Sequence, residues 1–390
     1  MKIRLSLILL YSIVWNFGFS QERNFQAVLI NSVTHTPISL ASISVTKSNI
    51  GTISNKDGAF KLCYSDLNDS VRISHIEYET LDLCLSDKVI KKEIYLTPRN
   101  IILSEVNVKA MSAQDLLLTA IEESSKKIET NVKLSTYYRE FVKNNGQYSK
   151  FSDGLVDYTI SISKKKTKTT VTVKESRAIK LDTLKEEEFS INSPLDVRRA
   201  ANIYNVSKIQ QLINKDDFYK FNFKLVEFEN DPELITIILS PKLEIEEELL
   251  EKKITLNRNS YLIQEIEIHL PASHAQYAKT VNILVAKAQT IDRKMRIIYK
   301  ENNSIYSLFY ISRDFSMHFW NNKKVDGRIR FLSDLIVTDI QVGQIEEEEK
   351  RERYKHKSLY KRGNQFSTKF WLSNNSLLLT DEEEKIIKGL

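Results

Sequence analysis

Glycine, proline and cysteine are scarce in this chain, at nine, six and two of 390 residues. The glycines stand at 18, 51, 58, 146, 154, 327, 343, 363 and 389, so no two lie close enough to write Gly-x-Gly-x-x-Gly, a phosphate-binding loop or Gly-x-Ser-x-Gly. Standard nucleotide loops and the α/β-hydrolase nucleophile elbow are therefore excluded. The same scarcity excludes a low-complexity linker protein. None of the six histidines is followed by the glutamate of a His-Glu-x-x-His helix, and two cysteines twenty-one positions apart write no zinc knuckle.

What remains offers little chemistry to assign. His269 and His274 stand five apart across Pro271, which breaks any helix and leaves no preferred ligand geometry. Acids are plentiful at 186–188, 246–248 and 382–384, but runs of acids form solvated faces, and none is isolated among apolar neighbours that would raise its pKa. No catalytic, cofactor-binding or metal-ligating residue is assigned. The formal charge of +6 falls to +4 once Lys2 and Arg4 are removed with the leader described next, too balanced for a nucleic-acid partner.

Residues 1–20 read as a secretion signal. Lys2 and Arg4 precede the apolar run Leu5 to Val14, and Gly18-Phe19-Ser20 supplies small residues before Gln21, so cleavage is expected after Ser20. The run is shorter than the roughly 20 residues a membrane span needs. An exported chain, periplasmic or associated with an outer membrane, is expected. Oxidising conditions would allow Cys63 and Cys84 to pair, closing a loop worth about 3 kcal/mol, with two unbridged thiols as the alternative.

Seven short segments rich in β-branched residues follow: Phe25 to Asn31, Ala41 to Thr46, Gly51 to Ser54, Ala59 to Tyr64, Ser70 to His75, Thr80 to Leu85 and Lys91 to Leu96. Turn residues such as Thr36-Pro37 and Lys56-Asp57-Gly58 separate them, the pattern of a β-sandwich. Ile43 and Val45, Phe60 and Leu62, Val71 and Ile73, and Leu81, Leu83 and Leu85 alternate with polar residues and predict one shared core.

Pro37, Ala41-Ser42-Ile43-x-Val45, Gly51-Thr52, Asp57-Gly58-x-Phe60 and Leu103-Ser104-Glu105-Val106-x-Val108 together resemble the carboxypeptidase regulatory-like domain, a transthyretin-like sandwich of exported proteins. Gln26 and Glu77 depart from its pattern, where glycines are usual. The resemblance implies an accessory module of the envelope of outer-membrane bacteria, without peptidase activity.

Beyond it, Ser112 and Asp115 cap a helix whose Leu116, Leu117, Ala120, Ile121 and Ile128 share one face. Ser193-Pro194 is expected to open a second helical stretch to Leu212, with Val206, Ile209 and Leu212 as its stripe. The rest is mostly strand: 155–162, 169–173, 221–228, 234–239, 251–256, 262–270, 280–291, 294–300, 304–312 and 327–342 alternate well enough for a large curved antiparallel sheet. The rhythm from Ile235 to Ile268 resembles the half-barrel of periplasmic lipoprotein carriers, which implies an apolar concave face able to shelter an acyl chain; a filled core is the alternative. Lys164 to Lys166 reads as a hairpin tip, 346–362 as a solvated helix or loop, and Thr380 with Glu383 as the capping box of a last helix. Tyr137-Tyr138-Arg139-Glu140 and Phe370-Trp371 resemble features of envelope proteins carrying the same N-terminal module, and their aromatics read as core anchors. That charged last helix is not the final strand a transmembrane barrel would want.

The sequence thus predicts a mainly β chain, all-β followed by α+β: a signal at 1–20, a seven-stranded sandwich at 21–108 and a curved antiparallel sheet with a few helices at 109–390. The expected role is binding in the envelope, of a lipidic or apolar ligand or of a protein partner, peripheral to the membrane at most. A carboxylate-dependent hydrolase of envelope glycans or peptides and a structural adaptor are the alternatives.

Overall fold

In the computed structural model, residues 23–46, 50–64, 69–85, 92–102, 111–163, 166–180, 194–229, 231–283, 286–302, 304–321, 326–343, 353–365 and 377–388 are described. The signal segment, Phe370-Trp371, the acids at 186–188 and the expected domain boundary at 108 lie outside them.

The seven expected strands of the sandwich all form: β1 (Arg23–Asn31), β2 (Ser42–Val45), β3 (Gly51–Ile53), β4 (Ala59–Tyr64), β5 (Ser70–His75), β6 (Tyr78–Cys84) and β7 (Glu93–Leu96). They divide into a sheet ordered β4-β1-β7 and another ordered β3-β2-β5-β6. Between the two sheets Leu29, Ile43, Phe60, Leu62, Val71 and Ile73 are fully buried, so the alternation read from sequence sets the core. Gly58 takes φ 74°, and a Cβ there would lie 2.5 Å from the Leu29 carbonyl oxygen, so the turn after Asn55 demands glycine.

Cys63 and Cys84 are not joined to each other. They alternate with Leu62 and Leu83, whose side chains face the core, and so point outward from two different sheets. The Cys63 thiol donates to Asn24 Oδ1 at 2.8 Å, while Cys84 is exposed opposite Ser70. Side chains leaving opposite faces of a sandwich cannot reach disulfide geometry.

The second layer is one large antiparallel sheet. Its strands are β8 (Ile101–Ile102), β9 (Asn131–Asn144), β10 (Gln147–Ser163), β11 (Lys166–Lys180), β12 (Phe221–Phe228), β13 (Asp231–Pro241), β14 (Glu251–Asn257), β15 (Ile263–His269), β16 (Val281–Ile283), β17 (Ala286–Asn302), β18 (Ile305–Trp320) and β19 (Asp326–Val342). The order runs β11-β10-β9-β19-β18-β17-β15-β14-β13-β12-β8, with β16 on β17. β8 pairs with β12 and stitches the two layers together.

One face of this sheet carries helix α1 (Ala113–Lys127), capped by Ser112 as expected, whose Leu116, Leu117, Ala120 and Ile121 are buried. Beside α1 the expected helix at 194–212 is instead a string of 3₁₀ turns, Val197–Arg199, Asn202–Tyr204 and Val206–Gln211. Val197, Ala200, Ile203, Val206 and Ile209 are buried at three-residue intervals, the spacing of a 3₁₀ turn, with Ala201 and Tyr204 buried beside them. Caps at Asp196 and Asn205, each accepting from the backbone two residues on, divide the run. Tyr158 and Tyr299 donate to the carbonyls of Val197 and Ile203 and tie the turns to the sheet.

The tail closes against the opposite edge. Leu359 is fully buried and the Ser358 hydroxyl donates to Glu140, so the stretch expected to be solvated is anchored at these two residues, while Lys355, His356, Lys357 and Lys361 are exposed. The short helix α2 (Ala272–Ala275) follows β15, and α3 (Asp381–Lys388) begins with the expected box, in which Thr380 N donates to Glu383 and Glu383 N to Thr380 Oγ1.

Candidate functional site

The two faces of the large sheet offer different environments. Under α1 and the 3₁₀ run, Val132, Leu134, Val156, Ile237, Ile254, Ile266, Ile297 and Leu335 complete an apolar core filled by the chain itself. The other face receives the sandwich: Ile53 packs with Tyr137, Ile298, Phe309, Tyr310 and Ile336, and a Cβ on Gly51 would come within 2.9 Å of the Phe309 ring. Arg99 bridges the layers through Asp231 at 2.7 Å while its Nε donates to the Tyr78 carbonyl.

Beside this contact a cleft of about 550 Å³ opens between sandwich and sheet. Ser42, Ser44, Arg72 and His75 line it from the sandwich, Arg296 and Lys300 from the sheet. Strand alternation places them there: β17 turns Ile297 and Tyr299 toward α1, which leaves Arg296, Ile298 and Lys300 toward the sandwich.

The arginines of the cleft are internally neutralised. Arg72 forks onto Asp82, Arg99 holds Asp231, and Arg296 donates to Glu265. Burial raises the Glu265 pKa, and Arg296 opposes that rise. Burial, together with Arg296 and Arg99, pushes His75 down to about 3, so it stands neutral, its Nδ1 accepting from the Glu77 amide.

Lys300 differs. Its Nζ donates to Ser44 Oγ at 3.2 Å and lies 4.0 Å over the Phe309 ring, with no carboxylate in ion-pair contact. Burial, and then the Arg72 charge, lower it to about 7. An ammonium held against a hydroxyl and an aromatic face is a ready donor for an incoming anion.

The residues singled out in the sequence lie elsewhere. His269 approaches Glu251 at 3.7 Å, whereas His274 is buried in α2 with Nδ1 on Ser273 and Nε2 lacking a partner. The two do not build a ligand set, and no cluster of three or more His, Cys, Asp or Glu able to hold a metal occurs among the described residues. Tyr137 to Glu140 form a buried hub on β9: Tyr137 donates to Asp153 and Tyr138 to Glu140, while Arg139 holds Asp334 and Glu383. These contacts agree with the reading of the aromatics as anchors. No helix among the described residues is long and apolar enough to cross a membrane, a statement that leaves β-barrels untouched.

Comparison with known proteins bears on the sandwich first. Residues 28–108 match the family model of the CarboxypepD_reg-like domain. The regulatory-like sandwich therefore supplies one wall of the cleft. No curated protein sequence matches the chain. Among solved structures, a LolA superfamily protein from Nitrosomonas europaea aligns at 10% identity and TM-score 0.24, covering 61% of this chain and 96% of its own. A DUF1329 family protein from Desulfovibrio piger aligns at 12% and 0.22, covering 60% and 92%. Lipovitellin aligns at 10% and 0.25, covering 65% and 29%.

Proposed function

We propose that this chain is an exported, two-domain binding protein of the cell envelope, non-enzymatic, holding a small ligand with an acidic group between the regulatory-like sandwich and the curved sheet. The observation that carries this reading is Lys300, the cleft cation left without a carboxylate where three arginines are each paired. Export rests on the leader-like residues 1–20, and envelope association on the company that regulatory-like modules keep. An acyl ligand finds less support, because α1 and the 3₁₀ turns already occupy the apolar face.

Native mass spectrometry of the protein purified from its host's envelope fraction tests the proposal. A co-purifying acidic molecule, lost from Lys300→Met and weakened as pH rises above about 7, is expected. A bound acyl species retained by Lys300→Met would contradict it.

A further inference from the structure

A second pocket, of about 280 Å³, lies where the turn Val197–Arg199 meets β18 and β19 on the α1 side of the sheet. Four cationic side chains line it, Arg198, Arg199, Arg313 and Lys357, against a single carboxylate, Asp196. That carboxylate is already engaged: Arg198 forks onto it at 2.8 and 2.6 Å and also donates its backbone N–H to it. Arg199, mostly exposed, reaches Asp196 only at 4.0 Å. Lys357 is exposed and makes no ion pair among the described residues.

Arg313 is the anomaly. Four other arginines of the large sheet are neutralised, Arg139 by Asp334 and Glu383, Arg177 by Asp153, Arg296 by Glu265 and Arg330 by Asp314, whereas Arg328 is exposed to solvent. Arg313 is half-buried and donates to the Ala200 carbonyl at 2.9 Å, with no carboxylate in contact. Burial lowers its pKa, and only the nearby Tyr138 and Tyr158 oppose the shift. A guanidinium stays charged at physiological pH, so the fold keeps a partly desolvated cation that it does not neutralise. An unpaired buried charge is destabilising unless something else supplies the counter-charge.

We propose that this pocket binds a phosphate- or sulfate-type oxyanion, free or carried on a larger molecule such as a lipid headgroup, with Arg313 at its base and Arg199 and Lys357 at its mouth. The guanidinium fork matches the spacing of oxyanion oxygens, and Ser333, in the same wall, adds a hydroxyl donor. The site uses none of the cleft residues and stands independently of the cleft's ligand.

The test is calorimetry and thermal melting of the full chain in inorganic phosphate, sulfate or chloride at constant ionic strength. Phosphate and sulfate are expected to bind saturably and raise the melting temperature, with chloride inert. The variant Arg199→Ala with Lys357→Ala, both exposed and safe for folding, is expected to weaken phosphate binding by about tenfold or more, near 1.4 kcal/mol. Arg313→Met is expected to abolish the phosphate response and to melt higher than the parent in phosphate-free buffer, because it removes the uncompensated charge. A parent response to phosphate no larger than to chloride would overturn the site, as would a response unchanged in the double variant. Vesicles separate the sources: sedimentation with phosphatidylglycerol but not phosphatidylcholine, competed by phosphate, assigns a headgroup, whereas phosphate binding without sedimentation assigns a soluble ligand.

Discussion

The two faces of the large sheet are built from the same strands yet solve burial in opposite ways. Toward α1 the core side chains are mainly aliphatic or tyrosine, the tyrosine hydroxyls at 158, 299 and 306 end on backbone carbonyls, and polar groups such as Arg313 and Ser333 gather in the pocket beside the turn Val197–Arg199. Toward the sandwich the buried groups include ion pairs such as Arg296 with Glu265 and Arg139 with Asp334, and a cleft remains between the layers. A face filled with apolar side chains is optimised for stability, and one that retains polar groups and volume is available for recognition.

That contrast can be broken from either side. Leu117→Asp puts an unpaired charge into the fully buried centre of the α1 face and is expected to cost about 4 kcal/mol or more, read as the urea midpoint. Glu265→Gln leaves buried Arg296 with only the longer contact to Glu267 at 3.8 Å and is expected to cost about 3 kcal/mol in the same assay. Gly51→Val drives a side chain against the Phe309 ring at the contact between the layers; about 1–3 kcal/mol is expected, with earlier proteolysis between sandwich and sheet.

Lys300→Met is the smallest change and has the opposite sign. Folding lowers Lys300 from the ordinary 10.5 to about 7, so the folded protein binds fewer protons than the unfolded chain between those values. The destabilisation is complete below pH 7 and is relieved as pH rises toward 10.5. The variant should therefore be more stable than the parent at pH 6, by about 1 kcal/mol after solvent screening, with the advantage fading by pH 10. A difference that does not change with pH would place Lys300 in solvent and weaken the case for the cleft.

Sequence reasoning reached the parts of this molecule whose periodicity is local. The sandwich strands were legible because one face of each meets a core, so Phe60 and Leu62 alternate with Lys61. β9 escaped because both its faces are covered: the six residues from Thr136 to Phe141 are all buried, and alternation disappears. The stretch expected to be helical up to Leu212 forms as 3₁₀ turns, a form that the three-residue repeat of Val206, Ile209 and Leu212 already suits. The cleft could not be seen, since Ser44 and Lys300 are 256 positions apart and meet only when the layers dock. Of the two alternatives for Cys63 and Cys84, the unbridged one is seen, because compartment says nothing about which face of which sheet a cysteine leaves.

The most direct test of the central claim is hydrogen exchange, followed by mass spectrometry, on the protein with its co-purified ligand and after the ligand has been stripped. Protection is expected at Ser42–Val45 and at the Arg296 to Lys300 part of β17, with no change in α1. Protection confined to Ala113–Lys127 and Val206–Gln211 would place the ligand under the helix and contradict the account.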